Sequence, residues 1–363
     1  MFEPRYIITH GMLKYIGRID AAREVVNNAA LVPAWESKFR EDAVVRSVHY
    51  GTHIEGNDLT LSQAQKVVLV DGELASEVAA RTGVMAGERD IQEVINYRQV
   101  LEWIDKWGPK MSKPVNYSED TFRELHRLVV KRVLPETEAG EYRKVQVAIK
   151  DNGTGVVTFM PPPAIEVPFL VQDFFAWLNS EEGRAHHSVL RAGITHYELV
   201  RIHPFTDGNG RVARAMTMLL LYGEEYDVKR FFSLEEYFDR DAASYYRALS
   251  SVGEGENLDL TEWLEYFCFG LAAELDRVKE QVLKLSRDMR LKGKLGKQVA
   301  LSDRQIRLIE TLNKQSKLTT SEANELLPMV SPDTVLRDFK DLIDKGVVER
   351  YGKTKGAYYV LKS

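Results

Sequence analysis

The chain has 363 residues, enough for two or three domains, and at 44% hydrophobic and 28% charged it can bury a sizeable core beneath a solvated surface. Its formal charge of −5 argues against a protein that coats nucleic acid as a whole, so basic segments have to be sought locally. The single cysteine, Cys268 in "WLEYFCFGLAA", excludes an intramolecular disulfide and a cysteine-rich zinc site, and core packing is its expected role.

The start, "MFEPRYIITHGML", lacks a basic segment followed by an apolar one, and no stretch reaches about 18 uninterrupted apolar residues. A soluble, cytoplasmic chain is expected, in which the sequons at Asn116 and Asn152 carry no meaning. Pro33 opens "PAWESKFREDAVVRSVHYGTHIEGNDLT", a helix expected to break around Gly56-Asn57. Within it His49 and His53 stand four apart, a spacing that can bind metal, but no third ligand follows and surface histidines are expected. Thr60 and Gln63 form a capping box for "LSQAQKVVLV". Ile91, Val94, Ile95, Leu101 and Ile104 recur at helical spacing over 88–107, closed by Gly108-Pro109. Ser118 can cap "EDTFRELHRLVVKRVL", expected to run to Pro135 with His126 on a helix face.

The period then changes. "KVQVAI" (144–149) alternates, "KDNGTG" is a turn and "VVTF" (156–159) can pair back, giving a β-hairpin bounded by Pro161-Pro162-Pro163. Helices resume at "AIEVPFLVQDFFAWLN", 189–202, 210–222 and 261–288, with His186-His187 in a loop. "KLSRDMRLKGKLGKQVA" holds six Lys or Arg against one Asp and reads as a frayed helix end followed by a basic linker at 289–301. Beyond it, Ser302 and Gln305 cap "DRQIRLIETL", "TTSEANELL" is a short helix, Ser331-Pro332 starts "DTVLRDFKDLIDK" and Gly346 stops it. "VVERYG" and "GAYYVLK" flank "KTK" as a two-stranded wing, so 302–363 has a winged helix-turn-helix pattern. That unit has eleven Lys or Arg against nine Asp or Glu. Its third helix sets Asp333, Asp338 and Asp341 beside Arg337 and Lys340, more acidic than a DNA reader usually is, while Lys353 and Lys355 lie in the wing. DNA and protein both remain open as its partner.

The densest chemistry lies in "RIHPFTDGNGRVARAMTMLLLYG", residues 201–223. Pro204 disfavours the α conformation at His203, so one helix ends there, and another starts near Asn209 or Gly210. The first N–H groups of that helix attract anions. Arg211 and Arg214 share a face of its first turns, where each opposes the helix dipole by about 0.3–1 kcal/mol. Such placement makes sense if something more negative sits among them. A polyphosphate fits, and Asp207 is then a hard oxygen ligand for the Mg²⁺ that a polyphosphate carries. His203 is the nearby group that can take a proton near neutral pH. Other patterns fail: an EF-hand loop would need ligands at Arg211 and Met218, "GNGRVA" follows a helix instead of a strand, and no GxxxxGK(S/T) exists. The plain alternative is a glycine-rich turn with solvated arginines.

"HPFTDGNGRVAR" resembles the Fic-domain signature HxFx(D/E)GNGRxxR at every specified position. "GEYR" before a hairpin, then "PPP" and a helix, is similar to the family's substrate-binding flap, and "THIEGNDLT" to its inhibitory motif. The resemblance covers about residues 5–288. It implies a mainly α fold: an N-terminal helical region (1–110) with an inhibitory helix, a Fic helical bundle with a β-hairpin flap (111–288), and the appended winged helix. It also implies a protein adenylyltransferase that moves AMP from ATP to a hydroxyl side chain and releases pyrophosphate. In that scheme His203 deprotonates the target hydroxyl and Asp207 holds Mg²⁺. Gly208, Asn209 and Gly210 cradle phosphate with backbone and amide groups, Arg211 meets the β-phosphate, Arg214 the γ-phosphate, and Phe205 packs inward. Kinase-like relatives carry lysine where this chain has Gly210, which argues against phosphotransfer. Tyr245 and Tyr246 in "DRDAASYYRAL" are candidate adenine contacts, although tyrosines at helical spacing are more often core. The target would add a strand to the 144–159 hairpin.

The inhibitory pattern is (S/T)xxxE(G/N), in which the glutamate reaches the second arginine of the motif. Glu55-Gly56 matches, but Gly51 stands where Ser or Thr is expected and Thr52 lies one residue late. A weaker clamp is therefore expected, which a serine at position 51 would tighten. Removal of AMP with the help of Glu55, or a DNA-binding regulator that senses nucleotide, are the alternative functions. Self-modification and a homodimer stay open, and no membrane partner is expected.

Overall fold

A computed structural model describes residues 2–29, 31, 33–107, 115–150, 157–253, 258–293, 302–328, 330–352 and 357–362. The Gly108-Pro109 stop, the hairpin turn with Asn152, most of the basic linker, and Lys353 and Lys355 lie outside them. The chain divides into two compact units, Met1–Ala29 with Trp35–Glu280, and Ala30–Ala34 with Gln281–Ser363.

The first unit is helical: α1 (His10–Asn27), α2 (Pro33–His53), α3 (Leu61–Val68), α4 (Ala75–Thr82), α5 (Glu88–Trp107) and α6 (Glu119–Val129) precede a short hairpin, β1 (Ile149–Lys150) and β2 (Val157–Phe159). There follow α7 (Val167–Asn179), α8 (Glu181–Ala185), α9 (Ser188–Ile202), α10 (Asn209–Gly223), α11 (Leu234–Arg240), α12 (Ala242–Ser250) and α13 (Thr261–Gly293). The centre is α10, packed against α9, α6 and α5. Nearly every residue of α9 and α10 is buried, as befits helices with apolar residues on all sides. Several of the polar residues they bury are paired: Arg191 with Glu224 (2.8 Å), Glu198 with Arg201 (2.6 Å) and His196 with Tyr245 (2.8 Å).

Caps set many of the boundaries. Thr60 and Gln63 make the full capping box of α3, and the Ser118 hydroxyl accepts from the Thr121 N–H at the start of α6. α6 ends at Val129, short of Pro135, because the Asn96 amide donates to the Val129 and Lys131 carbonyls (3.1 and 2.7 Å) and gives the chain another partner there. The strand expected over 144–149 is confined to Ile149 and Lys150. Ile149 lies opposite Phe159, so the ladder would next meet Pro161-Pro162-Pro163, which have no N–H to donate. Instead the Gln146 amide donates to the Pro161 carbonyl (2.8 Å). The helix expected to stop at 288 runs to Gly293 through Lys, Arg, Leu and Met, all good helix formers.

The second unit holds α14 (Asp303–Gln315), β3 (Leu318–Thr319), α15 (Thr320–Leu326), α16 (Pro332–Asp344), β4 (Val348–Tyr351) and β5 (Tyr358–Leu361). Its sheet is antiparallel in the order β3-β5-β4, so the expected two-stranded wing gains a third strand. Leu308, Leu312, Val335, Phe339 and Leu342 form its core, with Phe339 stacked 3.7 Å from Tyr359. This is the winged helix-turn-helix architecture. Among the described residues no helix is long and apolar enough to cross a membrane.

Candidate active site

The site begins where α9 stops. His203 is its C-cap, in the left-handed region (φ 49°) that few non-glycine residues adopt. Arg143, from "GEYR", holds it there: its backbone N–H donates to the Pro204 carbonyl and its Nε to the His203 carbonyl, both 2.8 Å. The same buried guanidinium reaches the Pro162 carbonyl, so it ties the base of the hairpin to the histidine. His203 Nδ1 faces the Val200 carbonyl at 3.4 Å, and with the proton there Nε2 is left as an acceptor. Burial lowers the pKa of the imidazole below its ordinary value.

The loop from 204 to 208 is pinned by contacts of Phe205, His126 and Asn209. Phe205 is fully buried and stacks on His126 at 3.6 Å. His126 lies on a helix face, as expected, and is wholly buried there, its Nε2 donating to the Asp207 carbonyl (3.0 Å) and its Nδ1 accepting from the Gly140 N–H (2.8 Å). Desolvation pushes its pKa down to about 4. The Asn209 side chain accepts from the Phe205 N–H and donates to the Phe205 carbonyl, both 2.9 Å. These two bonds fix the amide inside the loop and leave its second N–H and the backbone N–H groups for an anion. Gly208 (φ 75°) is the N-cap of α10, and the Asn209, Gly210 and Arg211 N–H groups have no partners within the helix.

Arg211 and Arg214 are both buried, with side chains 3% and 2% exposed. Arg211 Nη1 lies 3.1 Å from Glu93 and Nη2 3.5 Å from Asp207. Arg214 Nη2 donates to Glu55 Oε1 (2.7 Å) and to the Gly51 carbonyl (2.8 Å). Nε of both arginines is buried without a hydrogen-bond acceptor, while Nη1 of Arg211 stays in its ion pair with Glu93. Two buried donors left over near one helix end fit a ligand rich in anionic oxygens. Burial alone would raise the pKa of Asp207, but Arg211, the Gly208 N–H and Arg89 together hold the carboxyl below its ordinary value. It is an ionised hard-oxygen donor, and a single carboxylate suits Mg²⁺ that keeps other ligands on phosphate and water. Among the described residues no group of three or more His, Cys, Asp or Glu could hold a metal by itself.

Glu55 follows α2 in a turn closed by the Glu55 and Gly56 N–H groups on Thr52 and His53 carbonyls (3.0 and 2.8 Å). Its carboxylate lies over Gly210, where a Cβ would stand 2.0 Å from Oε1. The Thr52 hydroxyl donates back into α2, to Val48 or His49, and does not steady Glu55. Position 51 has no room for the hydroxyl residue of the inhibitory pattern: a Cβ there would lie 2.6 Å from Cε1 of Tyr97, whose hydroxyl donates to buried Glu235 (3.0 Å). A serine at position 51 would have to displace the Tyr97 ring or the end of α2, and the Gly51 carbonyl holds Arg214 rather than steadying Glu55.

Of the two tyrosines, Tyr245 is buried and bonded to His196, while Tyr246 is 48% exposed with its hydroxyl on the Ile54 carbonyl (3.3 Å). Of the two, Tyr246 is the one accessible to a ligand. His49 is buried rather than on the surface, and exposed His53 pairs with Asp239 (2.8 Å). Sequence reasoning missed Arg143, His126, Arg89, Glu93 and Tyr97. Each lies far along the chain from the residues it serves, and only the "GEYR" motif pointed to any of them.

Residues 116–221 match the Fic/DOC family, and residues 304–357 the DeoR-like helix-turn-helix domain. The chain is 28% identical over 225 residues to the protein adenylyltransferase Fic of Culex quinquefasciatus and 30% identical over 191 residues to that of Drosophila sechellia. These matches cover 61% and 52% of the chain, and the chain spans only 40% and 34% of the relatives' lengths. Among solved structures, a Fic family protein from Desulfovibrio desulfuricans G20 superposes with a TM-score of 0.65 at 23% identity, covering 99% of this chain and 98% of that one. Fic-1 of C. elegans gives 0.57 at 23% identity over 77% and 73% of the two chains. At these identities the likeness establishes the fold.

Proposed function

We propose that this chain, a member of the Fic/DOC family through residues 116–221, is a protein adenylyltransferase that uses ATP with Mg²⁺ and is restrained by Glu55. The observation that supports this most is the end of α10, where backbone N–H groups and buried guanidinium nitrogens without acceptors converge beside an ionised aspartate and a neutral histidine. His203 Nε2 takes the proton of the target hydroxyl as that oxygen bonds to the α-phosphorus and the bond to the pyrophosphate leaving group breaks. Arg211 and Arg214 bind the β- and γ-phosphates, and Arg143 keeps the imidazole aimed. Asp207 would hold Mg²⁺, whose contribution is to neutralise phosphate charge. Glu55 occupies the γ-phosphate partner of Arg214, so an ordinary ATP pose requires Glu55 to leave. The target extends the short hairpin as an added strand.

His203→Ala should remove label transfer from α-labelled ATP to lysate proteins, with a rate loss on the order of 10²–10⁴, while nucleotide binding persists. Equal transfer by variant and parent would sink the reading.

The second unit favours DNA as its partner more than its composition suggested. Two of the acids on α16 are turned to internal partners: Asp338 is buried against Arg304 (2.8 Å), and Asp341 takes Gln305 and Lys345. Arg337 and Lys340 stay exposed. Replacing both with Ala should weaken duplex binding and flatten its salt dependence; no change in either would leave a protein partner.

A further inference from the structure

Both oxygens of Asp207 are engaged. Oδ1 accepts from the Gly208 N–H (2.5 Å) and lies 3.5 Å from Arg211, partners fixed by the start of α10. Oδ2 takes Nη2 of Arg89, a residue of α5 outside the signature, at 2.5 Å. The partners differ in exposure: the Arg211 side chain is 3% exposed and that of Arg89 is 58% exposed, so only Arg89 can swing into solvent without leaving a packed site. Arg89 also has a second anchor, Nε to Glu93 Oε1 at 3.1 Å one helical turn along α5. Glu93 is buried and shared, since Arg211 lies 3.1 Å from it and the Asn57 amide donates to it at 3.2 Å.

We infer that Arg89 is the movable occupant of the divalent-cation position: it satisfies Asp207 Oδ2 in the free protein, and a cation arriving with a nucleotide binds that oxygen by displacing it. The inference rests on the reading of Asp207 as metal ligand above. A guanidinium in contact with Oδ2 and a cation bound to it at about 2.1 Å exclude each other by space and by charge. Displacement is cheap because an ion pair this exposed is worth a factor of only about two to five. Glu93 keeps the released side chain beside α5, so Arg89 can return when the cation leaves. Arg89 is a positioning residue that sets the Mg²⁺ concentration at which the site fills; it does no chemistry on the substrate.

The test titrates Mg²⁺ against the full chain and ADP, which lacks the γ-phosphate that Glu55 opposes, and follows ADP binding by calorimetry. Arg89→Ala should lower the Mg²⁺ midpoint roughly two- to fivefold and leave ADP affinity at saturating Mg²⁺ within about twofold of the parent. Arg89→Lys, which keeps a charge on the same turn, should stay near the parent. An unchanged or higher midpoint in Arg89→Ala, or one equally lowered in Arg89→Lys, overturns the inference. If the parent binds ADP equally with and without Mg²⁺, the assignment of Asp207 fails instead, and the inference falls with it.

Discussion

At Gly51 the sequence pattern and the packing point in opposite directions. Its lack of a hydroxyl suggests a loose clamp, yet the ring of Tyr97 fills the space and the Gly51 carbonyl accepts directly from Arg214. Gly51→Ser must push either Tyr97 or the end of α2 aside. It should raise basal modification by up to about tenfold, the low end of what one charge-assisted hydrogen bond is worth; lower activity than the parent would restore the hydroxyl explanation. His203 carries a second expectation. Its pKa lies below 6.5 because burial disfavours the imidazolium, and a base must be neutral to accept a proton. The acid limb of the transfer pH–rate profile should therefore have its midpoint below 6.5; a midpoint above 6.5 would contradict it. The motif residues could be found in the sequence because they sit within twelve positions. Glu93 and Tyr97 could not, since their roles depend on which helices meet, and "GEYR" marked Arg143 only as part of a flap.

Helix α10 is an anion-seeking end held in place by its neighbours: α5 supplies Glu93 and Arg89, the turn after α2 supplies Glu55, and α6 supplies His126 under the loop. Cap residues made several of these elements legible, as Thr60, Ser118, Ser302 and Ser331 each cap the helix expected of them. α1 was not foreseen, because its buried residues Met12, Ile19, Ala22 and Val26 are too sparse to mark a stripe. The early end of α6 was hidden because its cause is a side chain on another helix, Asn96. At this scale buried His126 predicts acid sensitivity. Its folded pKa of about 4 lies below the unfolded value near 6.5, so between those limits the unfolded chain binds more protons and stability is lost as pH falls. The melting temperature should drop more steeply between pH 6.5 and 4.5 in the parent than in His126→Gln; parallel slopes would refute that.

Across the whole molecule, the two units each have their own core, and the second carries its own caps and sheet. A chain lacking residues 302–363 should keep a cooperative melt and transfer activity on a supplied target, whereas loss of folding would place the boundary wrongly. Mainly helical architecture and the winged helix were readable from periodicity, and the three-stranded sheet was not, because β3 is two residues long. The central claim is that His203 transfers AMP and that Glu55 restrains it. Its most direct measurement compares Glu55→Gly with the Glu55→Gly, His203→Ala double variant, each given Mg²⁺ with either α-labelled or γ-labelled ATP. The account predicts label on protein from α-labelled ATP only, about 10- to 150-fold above the parent in the single variant and absent in the double variant. Protein label from γ-labelled ATP, or no rise over the parent in Glu55→Gly, would contradict it.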